Sequence, residues 1–503
     1  MNAKNTLFII ADEHTRRYSG CYGDPVVKTP FLDKIAAEGV TFTKAYTPSP
    51  TCVAARACLA TGEWLHQNEY FSSVEAYDMT RPSWGHHLID KGHEVVSVGK
   101  LGYLRAGPGN GFTREFLPIH NLNELGWVRG LLRNPLSFPE PNVEVVEFAN
   151  HVGVGETDYT KYDRVVSETA CAWLRQAAQR EHDKPWTLFV SLTSPHYPLI
   201  CPQEFWDLYD DDEVGTAHRG PDIEIHPLMQ ELRKFYNYDD HFDADLARKA
   251  RRAYFGLCSF TDYLVGNLLT TLELAGLKDD TRVIYTSDHG EMLGSHGLWT
   301  KFQMYEDSVA IPMLMSGPDI PQGVTCDTPV SLIDLYPTLI EAAGEPLNER
   351  EENLDGVSLF RIIEGEKPER FVLSEYHDGG VSTGIFMLLN GPWKYIYYPG
   401  FRPQLFNHET DPNEDVDLAE DPNFANALAE CENALRSMLD PEKVNARALE
   451  KQAAIIEKLG GYDAINNMEQ SDIFIEVEAL YVNNAELRTP CDLLVASEAI
   501  VPE

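Results

Sequence analysis

Apolar positions along the chain fall into short runs that stop at polar residues. KNTLFIIA (4–11) predicts a strand that ends in Asp12-Glu13-His14. FLDKIAAEG (31–39) follows Thr29-Pro30 and predicts a helix with proline near its start and Gly39 as its C-cap. VTFTKAY (40–46) alternates as a strand. SWGHHLIDKG (83–92) predicts a helix ending in glycine, and EVVSVGK (94–100) a strand ending in Lys100. Residues 164–179 read as helical, and WTLFVSL (186–192) as a buried strand running into Thr193-Ser194-Pro195-His196. A long helix is predicted over 243–276, then a strand, RVIYTSD (282–288), ending in Asp288-His289-Gly290. DSVAIPMLM (307–315) adds an apolar run, and 330–343 a further helix.

This alternation of strand and helix implies an α/β fold: a large, mostly parallel sheet covered by helices on both faces. Sheets of this kind place their ligands at the carboxyl ends of the strands, where several of these runs stop. Between 371 and 407 the rhythm changes to FVLSEY, GIFMLLNG, WKYIYY and QLFN, which predicts a smaller C-terminal antiparallel sheet. Residues 423–461 read as helical. The expected division is 1–365 for the catalytic α/β domain, 366–440 for the sheet-and-helix subdomain and 441–503 for an extension. The stretch 470–503 mixes apolar and acidic residues and is placed to wrap a neighbouring subunit, so a homodimer or homotetramer is expected.

Composition narrows the function classes. With 41 Lys+Arg against 79 Asp+Glu, the 503 residues carry a formal charge of −38. That disfavours binding to a nucleic-acid backbone. An anionic substrate would need a local positive pocket inside a repelling field. Nine cysteines at irregular spacing, with no C-x-x-C pair, suggest neither a disulfide framework nor a zinc ribbon. No stretch reaches the roughly 18 apolar residues of a membrane span, and the first strand begins almost at once. A cytoplasmic protein without membrane or nucleic-acid partners is expected.

Candidate chemistry lies where the strands end. Asp12 and Asp288, with Glu13 or His289, supply hard oxygen ligands and one imidazole for a divalent cation. In PSPTCVAARACLATG (48–62), Cys52 opens a small-residue helix and Arg56 shares its face at i+4. A packed thiol, a thiolate nucleophile and a precursor of another group all remain open for Cys52 on these residues. Lys100, His196, His296 and Lys301 all fall just beyond predicted strands, and the glycines of DHGEMLGSHG can bring Asp288, His296 and Lys301 together. G-x-G-x-x-G and P-loop patterns are missing at strand-to-helix junctions, and so is G-x-S-x-G.

TCVAARACLATG resembles the signature of the type I sulfatases, C-x-[P/A]-x-R followed by T-G. SPHYP, DHGEMLGSHGLWTK, WKYIYY and LFNHETDPNEDVDLA follow in the family's order over roughly residues 4–420. The resemblance implies the alkaline phosphatase superfamily fold and hydrolysis of a small-molecule sulfate ester. Cys52 would be oxidised to formylglycine by a sulfatase-maturation enzyme. Asp12, Glu13, Asp288 and His289 would hold one divalent ion, calcium foremost, with manganese or magnesium as substitutes. Arg56 would hold the hydrated aldehyde. Lys100, His196 and Lys301 would act on the sulfate, and His296 would bind substrate. Four positions depart from the commonest pattern. Ala54 replaces a proline, Glu13 an aspartate and His289 an asparagine, and the G-K-x-H motif appears as Gly99-Lys100-Leu101-Gly102. Tyr103 or Arg105 is expected to replace the lost imidazole. The sequence looks more like choline sulfatases and phosphonate monoester hydrolases than lysosomal arylsulfatases, so a phosphonate monoester or phosphodiester hydrolase is the alternative. Trp299, Tyr197 and Tyr103 are candidate aromatics for a quaternary ammonium, aryl or sugar group.

Overall fold

The structure, a computed structural model, describes residues 2–105, 109–121, 124–133, 143–218, 225–368 and 370–468. Strands β1 (Asn5–Asp12), β2 (Gly39–Phe42), β3 (Val95–Lys100), β4 (Arg114–Ile119), β5 (Thr187–Pro195), β6 (Thr281–Ser287), β7 (Met313–Ser316) and β8 (Val324–Cys326) form one eight-stranded sheet. Its order is β8-β2-β7-β6-β1-β5-β3-β4. Only β7 runs antiparallel to its neighbours, so the sheet is mostly parallel.

Strand β1 shows why the apolar runs are continuous. Leu7, Ile9 and Ala11 pack into the core on one face, while Phe8 and Ile10 pack into the core on the other. Successive side chains alternate, so a strand covered on both sides needs apolar residues throughout. Helices α4 (Asp158–Ala177) and α5 (Ala244–Leu274) cover the first face. Helices α2 (Cys52–Thr61), α3 (Trp84–Asp90) and α6 (Leu335–Ala342) cover the second. A four-stranded antiparallel sheet follows, in the order β9 (Val372–Tyr376), β10 (Ile385–Asn390), β11 (Trp393–Tyr397), β12 (Gln404–Asn407).

Several local expectations are corrected. Gly39 does not cap helix α1 (Pro30–Ala37); it opens β2, where a Cβ would lie 2.1 Å from the Met315 carbonyl oxygen. The run 40–46 is two strands, because Thr43 and Lys44 interrupt the pairing between Phe42 and Ala45. Within 330–343 the α-helix starts only at Leu335. The helical stretch 423–461 breaks at Leu439, since Asp440 caps a second helix whose first residue, Pro441, has no N–H to continue the first. The tail 470–503 lies outside the described residues. No described helix is long and apolar enough to cross a membrane.

Candidate active site

Four neighbouring strands, β6, β1, β5 and β3, end side by side. Asp12 and Lys100 are the last residues of β1 and β3, while Asp288 and His196 directly follow β6 and β5. Strand spacing of about 4.8 Å therefore sets these four side chains along one rim.

Helix α2 brings Cys52 to that rim. Ala54, Ala55, Ala57 and Ala60 are fully buried, and their small side chains let the helix pack closely against α3 and α6. Gly62, at φ 71°, ends it. Arg56, 2% exposed, projects beneath the rim and ties the strands together. Its Nε donates to Asp288 Oδ2 (2.8 Å), and its terminal nitrogens donate to the Lys100 carbonyl (2.8 Å), Ser191 Oγ (2.9 Å) and Asp12 Oδ2 (3.2 Å).

Above Arg56 the charges sort into two groups. The Lys100 ammonium pairs with Asp12 Oδ2. Lys301 donates to Glu13 Oε2 (3.0 Å) and to His196 Nε2 (2.8 Å). His196 Nδ1 donates to the Tyr197 carbonyl (2.7 Å), which fixes the tautomer and leaves Nε2 as the acceptor. Burial, reinforced by Lys301, pushes the His196 pKa well below its usual range and keeps the ring neutral. Burial would raise Asp12, but Lys100 and the other cations hold its carboxyl well below the usual range. Burial pushes the Cys52 thiol up; the Asp12 and Asp288 carboxylates add to that, while Lys100 and Lys301 oppose it. Cys52 is therefore a protonated thiol at neutral pH, a poor nucleophile in this form.

The residues present fit a divalent cation. Asp12 Oδ1, Glu13 Oε1 and His289 Nε2 are buried yet have no hydrogen-bond partner. His289 Nδ1 donates to the Gly290 carbonyl (3.0 Å), so the lone pair of Nε2 points inward, 3.7 Å from Asp12 Oδ1 and from Asp288 Oδ1. Ligand atoms of Asp12, Asp288 and His289 lie within 4.8 Å of one another, as do those of Asp12, Glu13 and His196. A third such group, Glu306, His408 and Glu414, is balanced by Lys394, at 3.3 Å from Glu306 and 2.6 Å from Glu414. It reads as an ion-pair network.

Asp12, Glu13, Cys52, Arg56, Lys100, His196, Asp288, His289 and Lys301 are thus brought together, and three expected residues are not. His296 stacks on Tyr305 (4.6 Å) and its Nε2 donates to the Asn413 carbonyl (2.9 Å). Arg105 is 59% exposed at its side chain and pairs with Glu124 at 3.4 Å. Tyr103 is buried edge-on against Tyr77 (4.8 Å) in the core beneath the sheet. Of the other candidate aromatics, Trp299 is packed on Phe242 (4.0 Å), while Tyr197 stacks on His196 (4.1 Å). Sequence reasoning missed Ser191, which looks like strand core, and Glu291. The Glu291 carboxyl is buried beside Glu13 and accepts from the backbone of Leu293 and Thr300, both at 2.7 Å.

The chain is similar to known proteins. The chain matches the sulfatase family over residues 4–345, and the family described as N-sulphoglucosamine sulphohydrolase, C-terminal, over residues 294–440. It is 32% identical to the choline-sulfatase of Rhizobium meliloti over 426 residues, 83% of each chain. It is 30% identical to arylsulfatase K of Bos taurus over 470 residues, 88% of this chain and 83% of that one. In fold it resembles the phosphonate monoester hydrolase of Agrobacterium radiobacter (TM-score 0.70, 21% identity, 88% of this chain and 96% of that one).

Proposed function

The chain belongs to the sulfatase family of the alkaline phosphatase superfamily, and from that membership we propose how its site works. It is a hydrolase of sulfate esters. The observation that carries the reading is the pairing of Cys52, faced by Lys100 and Lys301, with three unpartnered ligand atoms on Asp12, Glu13 and His289.

Oxidised to formylglycine by a maturation enzyme, residue 52 would supply a hydrated aldehyde, an oxygen nucleophile that can return to the carbonyl and release sulfate. Asp12, Glu13, Asp288 and His289 would hold one divalent ion, calcium by its preference for carboxylate oxygens, which would supply Lewis acidity toward the sulfuryl oxygens. Lys100 and Lys301 bind the anionic group; both ammoniums remain charged because Asp12 and Glu13 face them across a buried site. Neutral His196 orients Lys301. Arg56 holds Asp12 and Asp288 in place, and its reach to acceptors on or directly after four strands fixes the distance from Cys52 to the rim.

The substrate is a small sulfate ester, taken by a cytoplasmic homo-oligomer. The test is peptide mass spectrometry of residues 45–64 on protein made with a maturation enzyme, where conversion reads as a loss of about 18 Da at Cys52. A panel of aryl and choline sulfates, a phosphate diester and a phosphonate monoester follows. Faster turnover of the phosphorus esters than of any sulfate would overturn the reading.

A further inference from the structure

Helix α4 starts at the active-site rim and runs down the sheet. Asp163, in its second turn, accepts the backbone N–H groups of Thr193 (2.8 Å) and Ser194 (2.7 Å), which pins the helix to the end of β5. Further along, Val166 covers Gly99, whose added Cβ would lie 3.2 Å from Val166 Cγ1. The helix therefore lies over β3 and β5, the strands that lead to Lys100 and His196. Tyr159 precedes Asp163 by four residues, so it projects from the same helix face, one turn nearer the rim. Its ring meets His196 edge-on, with centroids 6.0 Å apart and planes at 76°. Only 5% of it is exposed. Burial raises its hydroxyl pKa, Asp12 and Cys52 act in the same sense and Lys301 opposes them, so the phenol stays protonated and can act as a donor.

A neutral donor there would complement the two ammoniums. His196 has none to offer an ester: its Nδ1–H goes to the Tyr197 carbonyl and its Nε2 accepts from Lys301. Gly102 has no side chain where the sulfatase pattern carries a histidine. We propose that Tyr159 is a further substrate-contacting residue, its hydroxyl donating a hydrogen bond to an oxygen of the sulfuryl group held over residue 52. This rests on the sulfate-ester reading above. A fixed neutral donor in a water-poor site is worth more than in water, because no reorientation is needed as charge shifts on the sulfuryl oxygens.

The test compares the holoenzyme with Tyr159→Phe, which keeps the ring edge against His196 and removes one oxygen, and with Tyr159→Gln, which restores a donor. Binding of inorganic sulfate is measured by calorimetry, and kcat and KM with 4-nitrophenyl sulfate. In the Phe variant, sulfate affinity and kcat/KM are expected to fall about ten- to a hundredfold, as for loss of one hydrogen bond to a charged group. The melting temperature and the mass of residue 52 should be unchanged, and the Gln variant should recover part of the loss. Sulfate affinity and turnover within twofold of wild type in Tyr159→Phe would overturn the proposal. If the wild type binds sulfate but turns over no sulfate ester, the sulfatase reading fails and Tyr159 is judged on sulfate affinity alone. A wild type that binds no sulfate overturns both.

Discussion

The ammonium of Lys301 stands 2.8 Å from Nε2 of His196 and 3.0 Å from Oε2 of Glu13, so one cation bridges a neutral ring and a carboxyl group. Both partners depend on it. Burial pushes Glu13 well above its usual range, the neighbouring Glu291 adds to the rise, and Lys301 is the cation that opposes them. Lys301→Met therefore leaves a buried carboxyl without its cation and a ring without its donor. We expect kcat/KM for a sulfate ester to fall by about two to three orders of magnitude. Lys301→Arg should not rescue it, since a planar fork cannot replace a point charge between these two atoms. Near-wild-type steady-state kinetics in Lys301→Met would contradict this role.

Arg56→Lys tests the tie across the strand ends. A single ammonium cannot reach Asp288, the Lys100 carbonyl, Ser191 and Asp12 together, so buried acceptors lose their donors. The expected loss of stability is about 2–4 kcal/mol, read from denaturant unfolding, together with loss of activity. Loss of activity at full stability would mean that Arg56 acts on substrate alone.

Much of this site was legible because its residues end apolar runs. KNTLFIIA stopping at Asp12 and RVIYTSD at Asp288 announce a shared rim once the sheet is parallel, and the Cys52–Arg56 spacing announces one helix face. What the sequence hid depends on tertiary contacts. Ser191 sits inside a strand whose side chains are otherwise core, and only the arrival of Arg56 makes it part of the site. His296 shares a glycine-rich loop with Lys301, yet its own φ of 53° turns the ring toward Asn413 and Tyr305. The helical reading of 423–461 holds as two helices: the periodicity continues through Asp440-Pro441, but the hydrogen bonding cannot.

Metal binding should appear as stability. Asp12 Oδ1, Glu13 Oε1 and His289 Nε2 are buried without partners, which costs stability until a cation satisfies them. Adding calcium to chelator-treated protein at a hundred times its Kd should stabilise it by about 2.7 kcal/mol through mass action. The shift in melting temperature should be lost in Asp288→Ala and kept in Glu306→Gln, whose cluster already holds Lys394. An equal calcium response in Asp288→Ala would place the ion elsewhere.

Asp163 gives a pH signature. Burial, against the N–H groups of Thr193 and Ser194, raises its carboxyl from an ordinary 3.8 to about 6. Between those values the folded protein keeps a proton that the unfolded chain has lost. Its contribution to stability is fully present below pH 3.8 and is lost as pH rises through about 6. Asn at this position does not titrate. The stability advantage of wild type over Asp163→Asn should therefore be greatest near pH 4 and narrow until about pH 6, then stay level. A gap that widens with rising pH, in melts across that range, would contradict the assignment.

Restoring the family's histidine should not repair the site. Gly102 has φ 68°, a left-handed conformation that costs other residues about 1 kcal/mol or more, and its Cβ would lie 3.3 Å from Arg56 Cδ. Any side chain there strains the backbone and presses on the arginine that holds Asp12 and Asp288. Gly102→Ala isolates that cost and should lower both melting temperature and kcat/KM. Gly102→His adds an imidazole at the same backbone cost, so it should be no more active than Gly102→Ala. A Gly102→His enzyme faster than wild type, at unchanged stability, would show that the rim has kept the space for the lost ring. It would also show that glycine at 102 is a plain loss of function, without the close approach to Arg56 that the structure gives it.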